Sequence, residues 1–356
     1  MKYFLTRLGV FLLIFGLSAE VCFRWVLPAR ETPRLIQNET FGFFQYDPTG
    51  PRDGRFTSGR RAEQRSAWHI NAQGWNSPRD FQTDDLRKQP LLVVTGDSQM
   101  EGFYVDPQAH FIRRLSQRTK NSVGYSLSAS GFKLGEYIAV ARYLAHENIN
   151  PDVMVLFINR GDFWRGVTNL GGKEGFVPRI RIHEDGRGEL TQFRDYVPNR
   201  ARRAFGISAT ARYLVLNAGL NPFAQGPADL AMNAKLRDPE SDAAKNLTYA
   251  QAFTFLVGTI RSHLPSTRLM FLVDADRQAI VSGRPVRSLA TNAVIATGCA
   301  KLGCAHLDLT QTFVTAWKTD REPFHFHHDV HWNAYTHDLA AQAVYDRLRR
   351  LQWLER

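Results

Sequence analysis

The chain reads as an α/β protein with a mostly parallel sheet covered by helices on both faces, preceded by an apolar N-terminal helix. Three observations predict this. Short continuous apolar runs, Leu91–Thr95, Asp152–Ile158 and Arg268–Val273, have the pattern of strands buried on both faces. Helical stretches, Lys133–Ala145 and Thr248–Leu264, alternate with them, and that alternation implies a parallel sheet. At the start, Lys2 and Arg7 flank an apolar run, Leu8–Ala19, as in an export signal.

Taken in order, the N-terminal run continues past Glu20 through Val21, Cys22 and Phe23. It approaches the roughly 20 apolar residues of a spanning helix only with Glu20 at the outer interface and Trp25 as interfacial anchor. An uncleaved anchor over residues 1–27 is the favoured reading. Cleavage after Ala19 and a buried soluble helix are the alternatives. Leu17 is a poor match for the small residue expected before such a cleavage site, and Val21 before Cys22 argues against a lipoprotein site. Residues 28–90, rich in Pro, Gly, Arg and Asn, read as an irregular lead-in packed on the domain.

The domain proper spans residues 91–356. Its first strand ends at Gly96. The helix that follows takes Asp106 as N-cap and Pro107 in its first turn, with Phe111 and Leu115 on one face. Residues 163–247 read as an insertion over the sheet's edge, with a hairpin over Arg179–Leu190 that turns at Asp185-Gly186. A short strand is expected at His306–Leu309. Asn333 then caps a last helix whose apolar stripe is Ala340, Val344, Leu348 and Leu351.

Composition excludes several classes. The chain is 44% hydrophobic and 22% charged, which rules out a disordered polymer, and 24 Phe suffice for a sizeable core. Three cysteines exclude a disulfide scaffold and any four-cysteine metal site. Cys299 and Cys304 close a short loop and read equally as a disulfide or as two buried thiols. The net charge is +11, with basic runs at Arg52–Arg61, Arg160–Arg165 and Arg200–Arg203. These read as a solvated face, with attraction to an acidic glycan or lipid headgroups as the functional alternative. Export argues against nucleic acid as a partner.

The chemistry concentrates at two places. Gly96-Asp97-Ser98 directly follows a buried strand, and in open α/β sheets ligands bind beyond the carboxyl ends of the strands. A serine there is exposed on a turn whose N–H groups can face a developing oxyanion. Such tripeptides are common in turns, so the partner decides. It is Asp329-Val330-His331-Trp332-Asn333 at the far end of the chain. A serine nucleophile needs a base, and the base needs an orienting carboxylate. In extended backbone, residues two apart project to the same side, so Asp329 can reach one imidazole nitrogen of His331 while the other faces Ser98. The neighbouring His325, His327 and His328 raise a competing metal-site reading, weakened by the lack of a nearby cysteine.

VVTGDSQMEGFYV around Ser98, SLSASGF around Gly131, the strand PDVMVLFINRGD and the final DVHWN resemble, in order and spacing, the blocks of SGNH (GDSL-type) hydrolases. INAQGWNSPRD ahead of the first strand is similar to the membrane-anchored bacterial branch, and the likeness covers residues 40–350. The resemblance implies a flavodoxin-like three-layer α/β/α fold and ester chemistry with no metal or organic cofactor. It implies Ser98 as nucleophile, His331 as general base, Asp329 as its orienter, and the N–H groups of Ser98 and Gly131 as oxyanion donors. It also implies a single-pass inner-membrane protein whose domain faces the periplasm and an acylated carbohydrate as substrate. One block departs: the family's Asn before the third-block Asp is Gly161 here, before Asp162. Asn159 is then the candidate for the missing donor, with a strand-end capping role as its plain alternative. Losing one such donor costs about 10²–10³ in turnover, so a weak or inactive glycan-binding protein of the same fold is the competing expectation.

Overall fold

The computed structural model describes residues 1–77, 79–81, 89–119, 122–197, 206–220, 243–286, 290–327 and 329–354. The expected basic run Arg200–Arg203 and His328 lie outside the described residues. Four strands precede the central sheet: β1 (Leu35–Gln37), β2 (Phe44–Tyr46), β3 (Asp53–Ser58) and β4 (Gln64–His69). The sheet itself comprises β5 (Leu91–Thr95), β6 (Val123–Ser126), β7 (Val153–Ile158), β10 (Arg268–Val273) and β11 (Ala305–Asp308). Between β7 and β10 lie β8 (Ile180–Ile182) and β9 (Gly188–Leu190), and after β11 come β12 (His325–Phe326) and β13 (Asp329–Trp332).

The five central strands run in the order β11-β10-β7-β5-β6, and every neighbouring pair is parallel. This is the flavodoxin-like doubly wound order, whose switch point lies between the first and third strands in sequence, β5 and β7. Their side chains alternate between two cores, as a strand buried on both faces requires. Leu91 and Val93 join one core with the helices Leu134–His146, Ala243–His263 and Ala290–Leu302. Leu92 and Val94 join the other with Phe111–Arg118, Thr310–Asp320 and Ala334–Arg350. Three layers result, as expected.

Three readings need correction. Residues 28–90 are not irregular throughout: among the described residues β1 pairs with β2 and β3 with β4, both antiparallel. The signal was masked because these strands are short or half exposed, so their alternation is broken by Arg and Gly. Phe56, Trp68 and Ile70 from this lead-in pack with Phe103 in a core of their own. The helix expected from Asp106 splits into a 3₁₀ turn, Pro107–Ala109, and an α-helix, Phe111–Arg118, and the Asp106 carboxylate accepts from the Ala67 N–H at 2.9 Å instead of capping. Among the described residues, the β8–β9 hairpin of the insertion does not lie over the sheet's edge. It packs on the helical layer, where the Arg179 guanidinium donates to Glu136 at 2.7 Å and Ile180 and Ile182 enter the core beside Tyr249 and Phe253.

The apolar helix runs Lys2–Val21 and continues as one π-turn through Val26, with none of the apolar window buried. That removes the buried soluble helix. By length and composition it can cross a membrane, and a signal sequence meets the same description. Cys299 and Cys304 are joined as a disulfide.

Candidate active site

Ser98 opens a single helical turn, Ser98–Glu101, immediately beyond β5. Asp97 caps that turn by accepting from the Gln99 N–H at 3.0 Å. At the other end of the chain, β13 lays Asp329 and His331 on one side of extended backbone, and Asn333 closes it by capping the last helix through the Thr336 N–H at 3.0 Å. The result brings the two ends together. His331 Nε2 lies 2.8 Å from Ser98 Oγ, and His331 Nδ1 is hydrogen-bonded to the Asp329 carboxylate. Asp329 also accepts from the His331 N–H at 2.9 Å, which fixes its rotamer. Burial opposes the Asp329 charge, but His331 and the nearby Arg30 guanidinium outweigh it and hold the carboxyl below the usual carboxylate range. Asp329 thus stays ionised to orient the imidazole.

The clamp behind this pair is a hydrogen bond between their sequence neighbours. The Trp332 N–H donates to Gln99 Oε1 at 2.7 Å, and the Trp332 ring, fully buried, meets Phe157 edge-on at 5.1 Å. Ser98 and His331 each sit one residue from this fixed contact.

Two side chains that the sequence reading did not single out lie around His331 and Asp329. Tyr104 stacks on the His331 ring, with centroids 3.6 Å apart and planes 9° from parallel. Burial, then the Asp329 charge, pushes its phenol upward, so the hydroxyl keeps its proton. Arg30, from the lead-in, lies over Phe56 at 4.2 Å and donates to Thr57 O at 2.9 Å. Tyr104 falls inside the block around Ser98, yet nothing in a linear motif says that its ring faces a histidine at the chain's other end. Arg30 carries no sequence signal at all.

The departure at the third block has a concrete geometry. Buried Asp162 accepts from Lys133 Nζ at 2.8 Å and from the Asn159 N–H at 2.7 Å. Burial works against the Lys133 ammonium, and Asp162 with Asp97 more than offsets it, holding its pKa above the ordinary lysine value. Asn159 Oδ1 accepts from the Gly161 N–H at 2.7 Å, while its Nδ2 donates to Asp97. The capping role expected as the plain alternative is therefore present. The same side chain also lines the cleft beside Ser98, and an amide nitrogen carries a second hydrogen. Gly131 lies beyond β6 at φ +88°, a conformation that favours glycine. Ser130, next to it, donates to Glu101, whose other oxygen accepts from Tyr46.

The cleft holds about 710 Å³, within the range of small-molecule sites. Asp97, Ser98, Asn159, Arg160, Arg277 and His331 are among the residues that line it. A larger depression of about 880 Å³, lined by Arg118, Asp346 and Arg349, lies at the opposite end of the last helix from His331, and none of its described lining residues is a serine, cysteine or histidine. Among the described residues, no three His, Cys, Asp or Glu side chains gather as metal ligands.

No family model matches the sequence, and no curated protein matches it. Among solved structures the chain is similar to TesA, at 12% identity and a TM-score of 0.39, over 73% of this chain and 99% of that one. It is similar to a GDSL-like lipase from Parabacteroides merdae at 13% identity and a TM-score of 0.41, over 74% of this chain and 97% of that one. An acetyl xylan esterase, Est2A, from the rumen bacterium Butyrivibrio proteoclasticus matches at 13% identity and a TM-score of 0.39, over 77% of this chain and 67% of that one.

Proposed function

We propose that the protein is a serine esterase or O-acyltransferase of the SGNH type, held on a bacterial inner membrane by its N-terminal helix with the domain facing the periplasm. The observation that carries the chemistry is the Ser98–His331 contact at 2.8 Å, with Asp329 on the far imidazole nitrogen. His331 Nε2 takes the proton as Ser98 Oγ attacks the ester carbonyl, and Asp329 stabilises the imidazolium that forms. The oxyanion is met by the N–H groups of Ser98 and Gly131, with the Asn159 side chain as third donor. Collapse expels the alcohol, which takes its proton from His331, and leaves an acyl-Ser98 ester. Water or a second hydroxyl, deprotonated by the same His331, then releases the acyl group. Which acceptor enters separates hydrolase from transferase. The substrate class inferred is an O-acetylated glycan, and the family resemblance is what supports it.

A fluorophosphonate probe tests the nucleophile. The protein should be labelled at Ser98, and Ser98→Ala and His331→Ala should each lose both labelling and p-nitrophenyl acetate hydrolysis. Wild-type turnover in Ser98→Ala would remove the assignment, and an intact protein that is never labelled would favour the non-catalytic glycan-binding alternative.

A further inference from the structure

The N-terminal helix does not leave its membrane as a free tether. Glu20, the only acidic residue in it, accepts from the Ala209 N–H at 2.8 Å, the Thr210 N–H at 3.1 Å and the Ser208 hydroxyl at 3.0 Å, and pairs with Arg24 at 2.5 Å. Arg24 also donates to Ile207 O at 3.3 Å, and Phe23 stacks on Tyr213 with centroids 3.9 Å apart. The start of the segment Ile207–Leu220 is therefore fastened to the outer end of the apolar helix.

The inner side of that segment is fixed with equal care. Asn217 accepts from the Arg30 N–H at 3.0 Å and donates to Thr57 at 3.1 Å, and Arg212 donates to Arg30 O at 3.0 Å. Arg212 is the only charged residue from Ile207 to Leu220, and it is buried. What remains outside is apolar. Ile207 is 75% exposed and Leu220 62%, Leu214 lies between them, and Trp25 and Val26 are exposed beside Arg24. A helical segment that turns its one charge inward and Ile207, Leu214 and Leu220 outward has the reverse of a water-facing surface.

We infer that Ile207–Leu220 is a second membrane-contacting element, which lies in the lipid interface beside the exit of the N-terminal helix and seats the domain on the bilayer. The inference rests on the anchor reading proposed above. The occupant is the lipid surface because the patch is continuous with the spanning helix: the bonds to Glu20 hold it at the depth where that helix emerges. Interfacial elements of this kind bury an apolar face at the headgroup–acyl boundary.

The full chain, with Cys22→Ser, is reconstituted into phosphatidylethanolamine–phosphatidylglycerol vesicles and spin-labelled at one introduced cysteine: Phe11→Cys, Ile207→Cys, Leu220→Cys or Val330→Cys. Val330 is an exposed apolar residue remote from the patch in sequence and serves as the aqueous reference. The ratio of oxygen to nickel-chelate accessibility should be several-fold higher at 207 and 220 than at 330, and highest at 11. If 207 and 220 match 330 while 11 remains in lipid, the docking inference is overturned and the anchor stands. Labels at 207 and 220 shielded from both reagents would show that protein covers the patch, which also overturns it. An aqueous signal at 11 would remove the anchor and the inference together.

Discussion

Glu101 is a carboxyl without a countercharge in direct contact, enclosed by the hydroxyls of Tyr46 and Ser130. Burial raises its pKa, the two hydroxyl bonds only partly resist, and nearby Asp97 adds to the rise, so it reaches about 7 against an ordinary 4.5. A carboxyl with a raised folded value binds its proton more tightly when folded. Its contribution is therefore complete below pH 4.5 and is lost as the pH climbs through about 7. At 1.36 kcal/mol per pH unit the full loss is about 3 kcal/mol, of which about 2 kcal/mol falls between pH 5 and 7.5. Glu101→Gln keeps the shape and removes the proton. Urea unfolding of both proteins in the same mild detergent, across pH 5 to 8, should show a stability difference that moves in favour of the variant by that amount. Other buried groups, Asp162 among them, titrate equally in both and cancel. Parallel curves would refute the reasoning, because they would mean that Glu101 is already ionised in the folded protein across the whole range.

Tyr104→Phe removes a phenol near the Asp329 carboxylate and should lower kcat/KM by no more than about tenfold, which corresponds to about 1.4 kcal/mol. Tyr104→Leu should fall further through loss of the His331 stack, and steady-state rates on a small ester with circular dichroism as folding control would check both. Asn159→Ala should reduce kcat roughly 10²-fold with KM little changed if its amide reaches the oxyanion. A loss of stability with unchanged kcat would assign it to capping alone. Gly161→Asn should fold, because a Cβ there meets nothing nearer than Asn159 Oδ1 at 3.4 Å, and kcat should rise by up to about tenfold. Lys133→Met strands Asp162 in the core and should cost about 3–5 kcal/mol in urea unfolding.

The sheet was legible because its strands are buried on both faces: Leu91–Thr95 and Arg268–Val273 appear with the expected bounds, since an unbroken apolar run has few other readings. Asp329 and His331 were legible as a pair because two-residue spacing in extended backbone dictates which side they share, and Ser98 because it directly follows a buried strand. The lead-in was not. Its hairpins owe their stability to Phe103 and Tyr104, which lie beyond the first strand in sequence, so local periodicity carried little of the information. The position of the insertion was equally hidden, because what decides it is the partner of Arg179, a buried glutamate in a helix upstream. Arg30 beside Asp329 is the same kind of omission: long-range electrostatics leaves no mark on the residues next to it.

The hydrogen bond from Trp332 to Gln99 separates two tasks that many pockets combine. The Ser98–His331 geometry is set inside the core, one residue behind both, whereas Arg160, Arg165 and Gln278 line the cleft and take no part in that bond. Substitutions at these three positions can therefore change what the cleft admits without moving the Ser98–His331 distance. A lineage carrying this clamp is free to drift in specificity while its reactivity stays constant, and an engineer could randomise those three positions with the same protection.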